Sequence, residues 1–433
     1  MVMPVRFGTD GIRGRASDEI TVELAYRLGR AVASVFSVPV FVGYDTRESS
    51  PTLAAAVLAG LRDGGAAGIN LGYFTTPGVA VIAQQRRGAG VVVSASHNPY
   101  YDNGLKVLGV GGAKLDHATE AAVESALNVA EAPTSTDFDA VAIDDTAEHD
   151  YATHLRALAP GDLSSLSIVI DCANGASSHV AHELFAATGA TVRTIHDRPD
   201  GRNINEGSGS THVGSLVTAV LESNADLGLA LDGDADRLIA VDHEGTVRDG
   251  DDLMVLFALD RQERNVLGGG LVVTSMSNLG LYRALHAAKV EIEETDVGDR
   301  NVLLALEDKG WVLGGEQSGH VIFRDLAPTG DGLLTGLLLG ELVVRRGPLA
   351  DLAGTAWRRV PQELFSVSLE HFSDVEVQAL FTELLEFYEV ERDDVRLLVR
   401  PSGTEPLVRI MIEALNAEFV EVFAERLKAL YGS

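Results

Sequence analysis

Residues 94–106 read SASHNPYYDNGLK and follow the apolar run GVVV. A buried strand that ends there delivers Ser94, Ser96, His97, Asn98 and Lys106 into one turn-rich loop. Turn chemistry alone accounts for Ser, Asn, Asp, Pro and Gly in such a place. Two hydroxyls, an imidazole and an amine together also make the parts of a nucleophilic site.

Farther on, DLGLALDGDADRLIAVD sets Asp232, Asp234 and Asp236 at alternate positions between two apolar strands. Three carboxylates so close repel one another unless a cation screens them. Hard oxygen ligands among glycine and alanine spacers suit Mg²⁺, and the closing Glu of an EF-hand is missing. Arg237, next in the chain, reads as a neutralising charge. RPSGTEPLVR places Arg400 and Arg409 around Ser402, Gly403 and Thr404. Arginine forks, hydroxyls and exposed backbone N–H groups in a tight turn make a phosphate cradle. GGEQSGH follows the strand-like WVL and offers Glu316, Ser318 and His320 to sugar hydroxyls. FGTDGIRG, with Arg13, is a glycine-rich loop that carries little meaning by itself. A metal site, a phosphate cradle, a hydroxyl-binding loop and a serine near lysine and histidine are together the parts for phosphoryl transfer through a phosphoserine.

These loops need a scaffold, and the chain repeats one. Segments 38–72, 166–196 and 270–298 each read strand, small polar loop, helix, glycine turn, strand. Such βαβ units predict right-handed crossovers and largely parallel sheets. EAPTSTDFDAVAIDD (131–145) resembles a linker. After about 362 the pattern changes to LFSVSLE, a helix-like stretch over 373–388, the arginine segment and a closing helix. The expectation is three similar mixed α/β domains (1–150, 151–250 and 251–362) and a small C-terminal α+β domain (363–433).

A chain of 433 residues with 46% hydrophobic and 22% charged residues is globular and multidomain. A net charge of −29 argues against a nucleic-acid partner. Only five lysines are present, at 106, 114, 289, 309 and 428. GLLTGLLLGELVV, the richest apolar stretch, is interrupted by Glu341 and falls short of the roughly 20 residues of a membrane span. Cys172 is the only cysteine, so no intrachain disulfide forms, and a cytoplasmic setting is expected.

FGTDGIRG, SASHNPYYDNGLK, DGDADR, VGDR, GGEQSGH and RPSGTEPLVR, in that order, resemble the α-D-phosphohexomutase family along the whole chain. The branch acting on glucosamine phosphate in bacteria is the most similar, and the resemblance implies four domains around a central cleft, each giving one loop. The resemblance implies that Ser96 carries the transferable phosphate and adds an oxygen to the Mg²⁺ ligands Asp232, Asp234 and Asp236. It implies that Arg13 and His97 steady the phosphoserine, that Arg237 stands beside the metal loop, and that Lys106 is a general acid or base. Glu316 and Ser318 would meet sugar hydroxyls, with Asp299 of VGDR close to the sugar. Arg400, Ser402, Gly403, Thr404 and Arg409 would hold the phosphate not in transit. The implied reaction interconverts glucosamine 6-phosphate and glucosamine 1-phosphate, with glucosamine or glucose 1,6-bisphosphate as activator. The implied enzyme is a monomer or homodimer. Glucose and mannose phosphates are the alternative substrates. Asp299 stands where those relatives carry histidine, Asn301 where the glucosamine branch shows tyrosine, and Ser50 where glycine is common.

Overall fold

The computed structural model describes residues 6–8, 10–401 and 406–431. Four sheets are found among them. In the first, the buried strand Val40–Tyr44 runs parallel to Gly68–Tyr73 and to Ala89–Val93. Asp102–Leu108 then returns antiparallel to Ala89–Val93, and Ile12–Arg15 closes the edge. The second sheet repeats this plan, with Ser167–Asp171 parallel to Thr191–Ile195 and Leu227–Leu231, and Leu238–Asp242 returning antiparallel. In the third, Gly270–Thr274 lies parallel to Glu291–Thr295 and Leu313–Gly315, and Val321–Phe323 returns.

Each sheet is therefore mixed, where the βαβ reading predicts a largely parallel one. Connection length explains the difference. Residues 94–101, 232–237 and 316–320 join each third strand to the next. Loops that short cannot make a parallel crossover, so the following strand must turn back. These three hairpin connections are the chemically loaded stretches of the sequence.

The fourth sheet is fully antiparallel, with Leu407–Ala414 between Gln362–Ser368 and Val395–Pro401. Helices Asp374–Tyr388 and Ala417–Tyr431 cover it around Phe381, Phe419 and Phe423. That core is separate, whereas one apolar cluster runs on from Phe41 and Phe74 through Phe185 to Phe257 and Leu337. The linker-like 131–145 has no helix or long strand but is pinned down, with Asn70 Nδ2 donating to Val141 O at 2.8 Å. Helix Ala147–Leu158 follows, its Tyr151 against Phe74 and donating to Asp331 Oδ2 at 2.7 Å. Helix Gly332–Arg346, the apolar stretch noted above, lies largely buried. No described helix is long and apolar enough to cross a membrane.

The loop after Ala89–Val93 is held from below by Arg47, whose side chain is fully buried. Its guanidinium donates to Asp102 O at 2.8 Å and to the carbonyls of Ser96 and Asn98, and it pairs with Asp45. Asp45 also accepts from Ser94 Oγ (2.6 Å) and Ser50 Oγ (2.7 Å), while Ser94 Oγ accepts from Ser96 N (2.9 Å). From the second sheet, Asn205 Nδ2 donates to Ser96 O at 2.9 Å and Asn98 O at 3.0 Å. Arg47→Met removes the charge that neutralises buried Asp45. The expected cost is about 3–5 kcal/mol, read as a lower urea midpoint; an unchanged midpoint would show that the loop does not depend on this pair.

Candidate active site

Ser96 does not sit on an exposed turn, as the loop composition suggests. It is 1% exposed and in the left-handed region at φ 51°. Its hydroxyl donates to Asp232 Oδ2 at 2.5 Å and lies 3.2 Å from His97 Nδ1. Lys106 is likewise not a loop residue. It belongs to the strand Asp102–Leu108, opposite Val92, and is 4% exposed. A strand residue has a fixed Cα, so its amine is aimed by the sheet.

Asp232, Asp234 and Asp236 present oxygens that all lie within 4.8 Å of one another, and all three residues are buried. Ala235 between the last two is left-handed at φ 60°, which turns both carboxylates inward. Asp234 Oδ2 accepts from Thr76 Oγ1 at 2.6 Å and from Lys106 Nζ at 2.8 Å. Asp234 Oδ1 and Asp236 Oδ1 are buried without a hydrogen-bond partner. Buried orphan oxygens on clustered carboxylates fit a hard divalent cation, and Ser96 stands beside them to add an oxygen. The approach of the two loops is possible because residue 233 is glycine. A Cβ there would lie 2.6 Å from Ser96 O.

Charges alternate around Lys106. Its ammonium lies 2.8 Å from both Asp10 Oδ2 and Asp234 Oδ2, and 3.7 Å from Asp236 Oδ2. Lys114 continues from Asp10 (3.4 Å) to Asp299, and His320 stands 3.8 Å from Asp299 and 3.7 Å from Asp236. Burial lowers the Lys106 pKa, but Asp10, Asp234 and Asp236 outweigh it and raise it, so the amine is an ammonium. For Asp236, burial acts upward, yet Lys106, His320 and Arg237 hold the carboxyl below the usual range. Burial, then Asp236 and Asp234, push Asp232 well up. His320 is raised to about 9 against the effect of burial, by its contact with Asp236 and by the charges of Asp299 and Glu316. His97 is lowered to about 4 by burial and by Arg237 and Arg13, which leaves its ring neutral near pH 7.

Beside this ring opens a cavity of about 630 Å³, lined from all four sheets' units. Arg13 and His97 come from the first, Asp236 and Arg237 from the second, Asp299, Glu316 and Ser318 from the third, and Arg409 from the fourth. Ser318 Oγ is buried and unpartnered, while Glu316 Oε1 accepts from Gly298 N at 3.0 Å. Asp299 faces Lys114, so the carboxylate expected close to the sugar is already neutralised. Arg400 is the cross-strand neighbour of Arg409 but lines a separate cavity of about 120 Å³, which Arg409 shares, and not the cleft. Ser402, Gly403 and Thr404 lie outside the described residues. Asp10, Thr76 and Lys114 join the site without having been singled out. Asp10 alone offered a signal, as the acid inside FGTDGIRG.

The chain matches four domain families in order. They are phosphoglucomutase/phosphomannomutase alpha/beta/alpha domain I over residues 4–133, domain II over 149–245, domain III over 249–360 and the C-terminal domain over 369–430. The chain belongs to the phosphoglucomutase/phosphomannomutase family. Among the α-D-phosphohexomutases it is similar to the phosphoglucosamine mutase of Rhodococcus jostii, at 44% identity over 99% of both chains. It is also 45% identical to that of Thermobifida fusca, over 97% of this chain and 96% of the relative. A phosphoglucomutase/phosphomannomutase family protein from Burkholderia thailandensis shares the fold with TM-score 0.79 at 24% identity, covering 99% and 98% of the two chains. Aspergillus fumigatus N-acetylphosphoglucosamine mutase, solved with GlcNAc-6P and magnesium, aligns with TM-score 0.67 at 18% identity over 98% and 95%.

In this phosphohexomutase the serine and the aspartates come from different units, so their spacing depends on the Gly233 contact. Gly233→Ala separates the loops by pushing on the Ser96 carbonyl. Misplacement of reacting groups by about 1 Å costs on the order of a hundredfold in rate. Steady-state assays are expected to show that loss in kcat with an intact fold by circular dichroism.

Proposed function

We propose that this enzyme interconverts glucosamine 6-phosphate and glucosamine 1-phosphate through phospho-Ser96 and a sugar 1,6-bisphosphate. The observation that carries this reading is the 2.5 Å contact between Ser96 Oγ and Asp232, made at the edge of a cleft that all four units line. A phosphatase needs no such shared cavity, whereas a mutase must hold a sugar with a phosphate at either end.

Asp232, Asp234 and Asp236, with an oxygen at Ser96, are the residues that would hold Mg²⁺. The bound ion supplies Lewis-acid stabilisation of charge on phosphoryl oxygens. In the first half-reaction the Ser96 Oγ–P bond breaks and a P–O bond to the sugar's O1 or O6 forms. The proton of that sugar hydroxyl ends on Ser96 Oγ, which then donates to Asp232 as seen here. In the second half the bisphosphate has turned, its other phosphate moves to Ser96 Oγ, and the proton returns to the sugar oxygen. Little covalent chemistry is asked of the protein, so positioning and charge do most of the work. Lys106, fixed as an ammonium by three carboxylates, suits electrostatic stabilisation of the phosphoryl group in transit, since an amine held this firmly charged is a poor proton donor. Arg13, Arg237 and neutral His97 face the phosphate in transit, and Glu316 and Ser318 face sugar hydroxyls. Glu316 is also the acidic group that remains for a 2-ammonium, since Asp299 is taken by Lys114.

Arg409, at the cleft, is assigned the phosphate that stays behind. One grip must accept a phosphate from either end of the sugar, which favours a guanidinium fork over a close-fitting pocket.

Ser96→Ala is expected to lose turnover by about a thousandfold or more and to lack, by intact mass, the phosphoryl group expected on the parent. A coupled assay should give the highest kcat/KM with glucosamine phosphate; equal or higher values with glucose or mannose phosphate would leave a general hexomutase. Arg409→Ala should raise KM by about tenfold or more, the loss of a charge-assisted fork. Arg400→Ala should raise it less, because that side chain does not line the cleft. The reverse order of effects would move the phosphate grip to Arg400.

A further inference from the structure

VGDR places two charged residues side by side, and both reach across to the first unit. Asp299 opens helix Asp299–Lys309 and pairs with Lys114, while Arg300 Nη1 donates to Glu120 Oε2 at 2.7 Å. Arg300 Nη2 also lies 3.0 Å from His117 Nδ1. His117 and Glu120 form the first turn of helix His117–Val129. The partners are separated by 180 residues or more in the chain. The two bridges thus join the first and third units directly, past the second unit that lies between them in sequence. The pair is shielded, with Arg300 12% and Glu120 20% exposed at the side chain. Both residues line a small pocket of about 40 Å³ whose walls include Lys106, Asp10, Lys114 and Asp299.

We propose that Arg300 and Glu120 are positioning residues, a latch that holds the first and third units together so that the bisphosphate turns over without escaping. The inference rests on the mutase reading above. A bisphosphate that leaves before its second phosphate returns to Ser96 strands the enzyme as the unphosphorylated form, which only added bisphosphate can recharge. Phosphoserine loop and sugar-binding loop lie on the two units the latch joins. A loosened latch therefore acts on retention of the intermediate, not on capture of the monophosphate.

Glu120→Arg and Arg300→Glu each replace attraction by repulsion, and the double variant restores an opposite pair in reversed order. Each single variant is expected to keep the parent's KM for sugar phosphate while its turnover without added bisphosphate falls about fivefold, the size expected of a partly exposed ion pair. Saturating glucose 1,6-bisphosphate should restore that turnover, and intact mass at steady state should show more unphosphorylated Ser96. The double variant should return toward the parent on all three readouts. Single variants with the parent's bisphosphate dependence, or a loss that neither bisphosphate nor the double variant repairs, would overturn the latch alone. A parent that turns over no sugar phosphate even with saturating bisphosphate would overturn the mutase reading, and the latch with it.

Discussion

Three carboxylates of the second unit, buried within 4.8 Å of one another, are the constraint on which the rest of the structure depends. Such a cluster is tolerated only where charge of the opposite sign is built in. Lys106 provides it from the first unit, and it needs three acids, Asp10, Asp234 and Asp236, to be buried in its turn. Neither sheet could hold its own charges without the other. The Coulomb attraction at these distances is about 4–6 kcal/mol per pair at an effective dielectric near 20, so misalignment of the two units costs more than a surface contact would. The aspartate loop and the serine loop consequently behave as one site although 136 residues separate Ser96 from Asp232.

The position of the loops follows from strand order. A parallel βαβ unit that adds one antiparallel strand must do so through a short connection at the end of its third strand. Repeating the unit three times produces three such connections, 94–101, 232–237 and 316–320, and each carries a different part of the chemistry. Ser96, the three aspartates and the Glu316–Ser318 stretch thus occupy equivalent places in three related frameworks. Their side chains differ because each connection faces the common cleft from another side.

Much of this was legible in the sequence because the informative residues are neighbours in the chain. Asp232, Asp234 and Asp236 alternate within one hairpin, and Ser96 and His97 adjoin, so composition and spacing report them directly. What pairs with them does not adjoin. Arg47 and Asn205 hold the Ser96 and Asn98 carbonyls from 49 to 109 residues away, and Thr76 meets Asp234 from 158 away. Local patterns carry no trace of such contacts. Asn103 and Gly104 favour turns and so suggest a loop up to Lys106, yet the sheet takes all of Asp102–Leu108 as a strand. Antiparallel returns were likewise hidden, since a strand's direction depends on its partner.

The fourth unit stands apart in a way that matters for a reaction in which the sugar must turn. Its apolar core is its own, whereas one core runs through the first three. Its attachment to the third unit is largely polar. Arg396 donates to Ser277 O, Glu413 accepts from Leu279 N at 2.6 Å, and Arg283 pairs with Asp394 at 2.7 Å. Polar attachments of this kind bury little apolar surface and give a weaker hold than a shared core. The residue assigned to the stationary phosphate, Arg409, therefore belongs to the unit least tied to the others, while serine, acids and lysine are locked together by buried charge. In the proposed cycle, grip and chemistry therefore sit on differently anchored units, which lets the cleft release one phosphate and take the other without disturbing the charge balance around Lys106.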